Sequence, residues 1–292
     1  MVCFVILHYI VEEETKECVN SILNNVDGEK KIIIVDNYSP NKSGENLKKF
    51  YGSDERVDVI LNSSNVGFAK GNNIGYYHAK KKYNPDFIVV MNNDMEIQQK
   101  EFIEEVYRCY DKYKFAVMGP DIYSTKAKKH QNPESEFNVT IEGLKKKRRK
   151  LLLKKKLKFI IRLKWMVLKN KKKKVNSDIK EENFVDEVVE GKTLHGSCYI
   201  LSREFINKRE YCFYDKTFMY MESYILTYEM QRDNMKMMYY PNVKILHHED
   251  VSTDKTYQQQ YKKSFFTIDC LIQSCNAFIE LMEKDTSING EK

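Results

Sequence analysis

Proline and glycine are scarce, at five and eleven among 292 residues, which excludes a collagen-like or linker-rich chain. The seven cysteines are odd in number and contain no CxxC pair. Neither a disulfide framework nor a zinc site is therefore expected, and the reducing cytosol is the natural compartment. No apolar run approaches the 18 residues of a spanning helix, and Met1-Val2-Cys3-Phe4-Val5-Ile6-Leu7 has no basic stretch before its apolar residues. The expectation is a protein neither secreted nor membrane-spanning. Internal repeats are absent, as are a GxGxxG fingerprint and a Walker loop, which disfavours an ordinary dehydrogenase or kinase.

What is there suits a folded enzyme. Apolar residues make up 42% and aromatics 12%, while 31% charged residues account for the mean hydropathy of −0.61. The length allows a sizeable core, read here as one α/β domain with an insertion. The net charge of +7 is segregated: residues 145 to 174 hold 17 Lys or Arg and no acid, so the rest of the chain carries −10. An acidic body bears one basic insert.

Val2 to Leu7, Lys31 to Val35, Val57 to Leu61 and Phe87 to Met91 read as strands, with helical patterns over Glu12 to Asn25 and Gly71 to Lys82 between them. This alternation predicts a mostly parallel sheet covered on both faces. Lys100 to Tyr113 reads as a helix and Phe115 to Met118 as a strand. After the insert come a strand at Tyr199 to Leu201, a helix at Met219 to Gln231, strand-turn-strand over Met237 to Leu246 around Pro241, and a long helix from Tyr257 to Met282.

Several strand ends carry chemistry. Phe87 to Met91 runs into Asn92-Asn93-Asp94, where a carboxylate beside two amides suits a hard cation held against a phosphate ester; the same residues also start ordinary turns. Ile32-Ile33-Ile34-Val35 ends in Asp36, placed to accept from a base or ribose, or to cap a turn. The segment Asn65 to Gly75, with Gly67, Lys70 and Asn73, supplies tight turns near a helix start. His195-Gly196-Ser197 is a small-residue turn before a strand, where Gly196 allows close approach of a hydroxyl or is a bare turn glycine. Tyr220-Met221-Glu222 enters a helix, where desolvation would raise the Glu222 pKa toward that of a base, or the helix dipole would simply stabilise it. His247 and His248 follow a strand, as a metal ligand or as structural imidazoles.

In this order the pieces resemble the family 2 glycosyltransferases over about residues 2 to 255, most nearly the bacterial rhamnosyltransferase-like enzymes of surface polysaccharides. The resemblance implies a GT-A fold, a nucleotide-diphosphate sugar donor and transfer with inversion to a glycan or polyprenyl-linked acceptor. It implies one domain over residues 1–258, with a donor-binding half to 125, the insertion at 126–182, an acceptor half from 183, and a helix over 259–292. By position Asp36, Asn65, Gly67, Lys70, Asn73, Asn92, Asn93 and Asp94 fall to the donor, and His195, Gly196, Ser197 and Tyr220 to the acceptor and sugar. Asp94 and His247 would ligate Mg²⁺ or Mn²⁺, and Glu222 would be the base. Two positions depart from the family: Asn92 replaces the first acid of its DxD motif, and Ser223 the second of two adjacent acids at the helix entry.

Within the insert, Leu153, Leu157, Ile160, Ile161, Val167 and Leu168 fall largely on one helical side, opposite Lys154, Lys155, Lys158, Arg162 and Lys169. Such a helix suits an anionic membrane surface, so residues 145–174 are expected to hold a cytoplasmic enzyme on the inner face of the cell membrane. Two rivals are a noncatalytic binding subunit, which Asn92 and Ser223 favour, and a nucleic-acid-binding protein, which the crowded apolar residues disfavour.

Overall fold

The computed structural model describes residues 1–157, 184–249 and 260–290. The first half alternates as the periodicity predicts: β1 (Val2–His8), α1 (Glu12–Asn25), β2 (Lys30–Asp36), α2 (Ser43–Tyr51), β3 (Val57–Leu61), α3 (Phe68–Tyr83) and β4 (Phe87–Asn92). β5 (Met95–Glu96), α4 (Phe102–Tyr113), β6 (Val117–Ser124), β7 (Lys129–His130) and α5 (Ile141–Lys156) follow. Beyond residue 183 come β8 (Val189–Glu190), β9 (Cys198–Ser202), α6 (Arg203–Lys208), α7 (Glu222–Arg232), β10 (Met237–His247) and α8 (Gln260–Gly290).

The sheet runs β3-β2-β1-β4-β9-β6-β10-β5, with β7 on β6 and β8 on β10. β1, β2, β3 and β4 are mutually parallel, as are β6 and β10, and β9 lies antiparallel between β4 and β6. Parallel register aligns His8 with Asp36 and Leu7 with Asn92, so these strand ends share one edge. Because β9 runs the other way, its beginning reaches that same edge: Cys198 pairs with Met91, and the Asn92 N–H donates to the Ser197 carbonyl at 2.8 Å. One inverted strand thereby delivers His195 to Ser197 to the carboxyl ends of the parallel strands.

Each face of the sheet buries its own core, as the near-continuous apolar strands require. Phe4, Ile6, Ile32, Ile34 and Val89 meet α1 and α4 residues such as Val19, Ile22, Phe102 and Val106. On the other face Val5, Val35, Val90 and Leu201 meet Ala69, Tyr76, Phe205 and Leu226. All seven cysteines are buried thiols.

Two expectations are corrected. Met237 to His247 is one strand, not strand-turn-strand; its register shifts between Tyr240 and Lys244, a bulge that accommodates Pro241 without a ladder donor. In α5 the helical side shared by Leu153 and Leu157 is the outward one, as their spacing implied: they are 59% and 42% exposed, while Leu144 and Leu151 face inward, packed with Ile225, Ile268, Cys275 and Phe278. Leu144 and Leu151, seven apart, set the helix phase, and a residue nine positions from Leu144 falls on the opposite side. Residues 158 to 174 of the basic stretch lie outside the described residues. Finally, Lys263–Ser287 within α8 is long and apolar enough to cross a membrane, with a mean hydropathy of 1.3. Scattered Ser, Thr, Gln and Asn residues break up its apolar run in the sequence, and 44% of its most apolar 18 residues are buried in the fold.

Candidate active site

A cavity of about 530 Å³ opens at the carboxyl ends of the parallel strands, the place where open α/β sheets bind ligands. Of the residues singled out from the sequence, Asn65, Gly67, Asn92, Asn93, Asp94, His195 and His247 line it. β5 folds back along β10, pairing Met95 with His247, and the His248 N–H donates to the Asp94 carbonyl at 2.9 Å. That pairing sets His247 Nε2 3.4 Å from Asp94 Oδ1.

A chain of hydrogen bonds fixes the chemistry of this pair. Gln131 Nε2 donates to Glu249 Oε1 at 2.7 Å, since an ionised carboxylate can only accept. The other end of that amide, Gln131 Oε1, therefore faces His247 Nδ1 at 2.7 Å and accepts its proton. His247 Nε2 is left facing Asp94 Oδ1, a buried oxygen with no hydrogen-bond partner among the described residues, and in the neutral imidazole that nitrogen carries the lone pair. In that form the two acceptors could share a cation. An imidazole and a carboxylate, completed by phosphate oxygens and water, are donors that suit Mg²⁺ or Mn²⁺. Among the described residues no group of three or more His, Cys, Asp or Glu is arranged to hold a metal ion.

The neighbouring wall is built from amides. Asn37 Nδ2 donates to Asn65 Oδ1 and to the Gly67 carbonyl, both at 3.1 Å, and its Oδ1 accepts from the Val66 N–H at 3.0 Å. Gly67 has φ +85°, and a Cβ there would lie 2.4 Å from the Phe218 carbonyl oxygen. The Phe68 N–H donates to that same oxygen at 2.6 Å. Only glycine fits, so Gly67→Ala is expected to lower stability by roughly 1–3 kcal/mol and to displace the Phe218 wall, read as a depressed melting temperature.

Phe218 and Met219 form another wall, on a loop tied down from below. Glu222 is 8% exposed, accepts from Thr217 Oγ1 at 2.9 Å and from the backbone N–H groups of Tyr220 and Glu222, and burial pushes its pKa up to about 7. Tyr220 and Met221 both have positive φ, 75° and 71°, so the carboxylate braces a strained turn. Ser223 Oγ lies 4.0 Å from where a Gly196 Cβ would stand. His195 donates its backbone N–H to Asn132 Oδ1 and pairs Nδ1 with Ser197 Oγ at 2.8 Å. Burial holds its imidazole pKa down at about 4, so it faces the cavity neutral.

Other candidates sit elsewhere. Asp36 is 4% exposed and is held by the Ser39 N–H and hydroxyl, with Gly44 of α2 packed against its carboxyl. Asn73 spends its amide on the Cys212 and Phe213 backbone. Lys70 is exposed and off the cavity wall. Tyr220 pairs its hydroxyl with Thr267 at 3.2 Å, and Glu222, Gly196 and Ser197 stand behind the wall rather than on it. The sequence reading missed Asn37, Gln131, Phe218, Met219, Glu249 and Phe266 as wall residues. Asn37 had a signal, an amide next to a strand-end acid; Gln131 had none, lying in a polar stretch without a motif.

Residues 3–175 match the family model for glycosyl transferase family 2. The chain belongs to that family. Over 113 residues it is 26% identical to the low-salt glycan biosynthesis hexosyltransferase Agl10 of Haloferax volcanii, a match covering 39% of this chain and 35% of that one. Staphylococcus aureus TarS 1-349 in complex with UDP-GlcNAc superposes with a TM-score of 0.54 at 15% identity, over 93% of this chain and 65% of that one. GalNAc-T7 with UDP, GalNAc and Mn²⁺ gives 0.58 at 12% identity, over 91% and 49%. This family member has the GT-A fold of those glycosyltransferases and spans about a third of Agl10 and one half to two thirds of the solved chains.

Proposed function

We propose that this family 2 chain is an inverting, metal-dependent hexosyltransferase that moves a sugar from a nucleoside-diphosphate donor to a glycan or polyprenyl-linked acceptor. The reading extends to surface-polysaccharide synthesis at the cytoplasmic face of a membrane, with a rhamnosyltransferase-like enzyme as its nearest type. Residues 1–258 act as one catalytic domain followed by the terminal helix. The observation that carries it is the orphaned Asp94 oxygen facing His247 Nε2 at the strand ends.

A Mg²⁺ or Mn²⁺ ion, when bound, would supply positive charge against the departing diphosphate. Asp94 and His247 would hold that ion, with Gln131 fixing the His247 tautomer. Asn65 and Asn92 offer amides to the donor, Asn93 donates its own to Thr15 Oγ1 at 2.9 Å, and Phe218, Met219 and Phe266 shield the donor from water. The acceptor oxygen attacks the anomeric carbon, the bond to the diphosphate oxygen breaks with its electron pair, and the acceptor proton passes to a carboxylate. Glu222 at the α7 entry, where the resemblance to the family puts the base, is that carboxylate. Its pKa near 7 suits that role. The role requires its carboxylate to turn from Thr217 toward the acceptor.

One observation favours a noncatalytic nucleotide-sugar-binding subunit instead: Ser223 stands where the family has a second acid, and Glu222 points into its own turn. Calorimetric titration of nucleoside diphosphates with Mn²⁺, followed by turnover of the matching sugar nucleotide, separates the two. Turnover supports the transferase; binding without turnover in the presence of a competent acceptor supports the subunit. In the same titration Gln131→Leu is expected to weaken Mn²⁺ by roughly 10–100-fold while metal-free nucleotide binding is kept.

A further inference from the structure

The described part of the basic insert lies antiparallel on α8. Lys145 Nζ is 2.6 Å from Glu283, Lys155 Nζ is 2.6 Å from Asp269, and Arg148 Nη1 donates to Asn276 at 2.9 Å. Those three cations and the buried Leu144 and Leu151 account for the inner side of α5. Its outer side carries Lys146, Arg149, Lys150, Leu153, Lys156 and Leu157, all exposed and spaced as one helical stripe. None of these cations makes an ion pair among the described residues. Exposed leucines set among unpaired cations cost hydration and repulsion on a surface with no partner.

The stripe also has a position. Asp269, which anchors the carboxyl end of α5, is three residues along α8 from Phe266, a wall residue of the cavity. The outer end of the stripe, with Leu157, therefore stands at the end of α8 that borders the cavity.

We propose that this face of α5 is the docking surface for an anionic lipid bilayer, with Leu153 and Leu157 in the headgroup boundary and the four cations among lipid phosphates. The surface makes specific the membrane partner of the proposed function, on which it rests, and it holds the cavity beside the bilayer that would carry a lipid-linked acceptor. Two features select lipid over nucleic acid. The stripe offers apolar insertion and has no aromatic side chain to stack on bases and no amide or hydroxyl to read them. Charge fixes the orientation as well: outside residues 145 to 174 the chain carries −10, so an anionic surface repels the body and attracts α5.

The test is co-sedimentation of the full chain with phosphatidylglycerol-containing vesicles and with pure phosphatidylcholine vesicles. Binding is expected only to the anionic vesicles and is expected to fall as salt rises. A variant with Lys146→Ser, Arg149→Ser, Lys150→Ser and Lys156→Ser is expected to lose at least about a hundredfold in partitioning, and Leu153→Ser with Leu157→Ser roughly tenfold. Both variants should keep the wild-type melting temperature and donor turnover with a soluble acceptor. Equal binding to neutral vesicles, undiminished binding by a folded variant, or binding to RNA without binding to anionic vesicles overturns the docking surface. Vesicle binding with no use of any sugar nucleotide would leave the surface standing and overturn the transferase reading.

Discussion

Asp94→Ala is expected to lower nucleoside-diphosphate release by about 10²–10³-fold, the range for removing one electrostatic stabiliser of a developing oxyanion. The same variant should lose Mn²⁺ dependence, because His247 alone is a single ligand. Its stability should move the other way. In the wild type the Asp94 oxygen is buried with no hydrogen-bond partner among the described residues, and burying an unsatisfied carboxylate oxygen is costly. Metal-free Asp94→Ala should therefore melt at or above the wild-type temperature, measured by calorimetry without divalent ions. A large fall in melting temperature would make Asp94 a structural residue and remove the metal assignment.

Glu222→Gln is expected to have opposite effects on rate and stability. As a general base Glu222 acts ionised, so turnover should rise with pH through about 7 and fall in the variant by ~10²–10⁴-fold. Stability follows the opposite sign. The folded pKa is raised from 4.5 to about 7 by burial, so between those values the folded state binds more protons than the unfolded one. Wild-type stability then decreases as pH rises through that window, and above it the buried charge costs about 3 kcal/mol. Glutamine keeps an acceptor for Thr217 without the charge. The variant should be more stable than the wild type at pH 8, with the gap closing by pH 5, as chemical denaturation at the two pH values will show. A parallel loss of stability at both would mean that Glu222 only braces the Phe218 turn.

The sequence exposed the strands because buried parallel strands are continuous apolar runs, and it exposed the Asn92 to Asp94 cluster because polar residues end such a run abruptly. Registers decide what meets what, and they depend on long-range pairing. That β9 inverts between β4 and β6, bringing His195 to the Asp94 edge, follows from sheet order and not from local pattern. The amide chain from Glu249 through Gln131 to His247 joins residues more than a hundred positions apart, where no spacing rule operates. Asp36 and Asn73 looked like donor groups because Asp and Asn at strand ends and helix starts serve ligands and turns alike. Their side chains are spent on Ser39 and on the Cys212 and Phe213 backbone. The outward side shared by Leu153 and Leu157 was legible from their helical spacing, whereas the inward side was not, because Leu144 and Leu151, whose burial against α8 orients the helix, were not weighed.

The measurement that bears most directly on the transferase reading is release of free nucleoside diphosphate from a panel of sugar nucleotides, with lipid-linked acceptor extract, in Mn²⁺, in Mg²⁺ and in chelator. The account predicts release from one donor, dependent on a divalent ion and lost in Asp94→Ala. Release that persists unchanged in chelator and in that variant would contradict it.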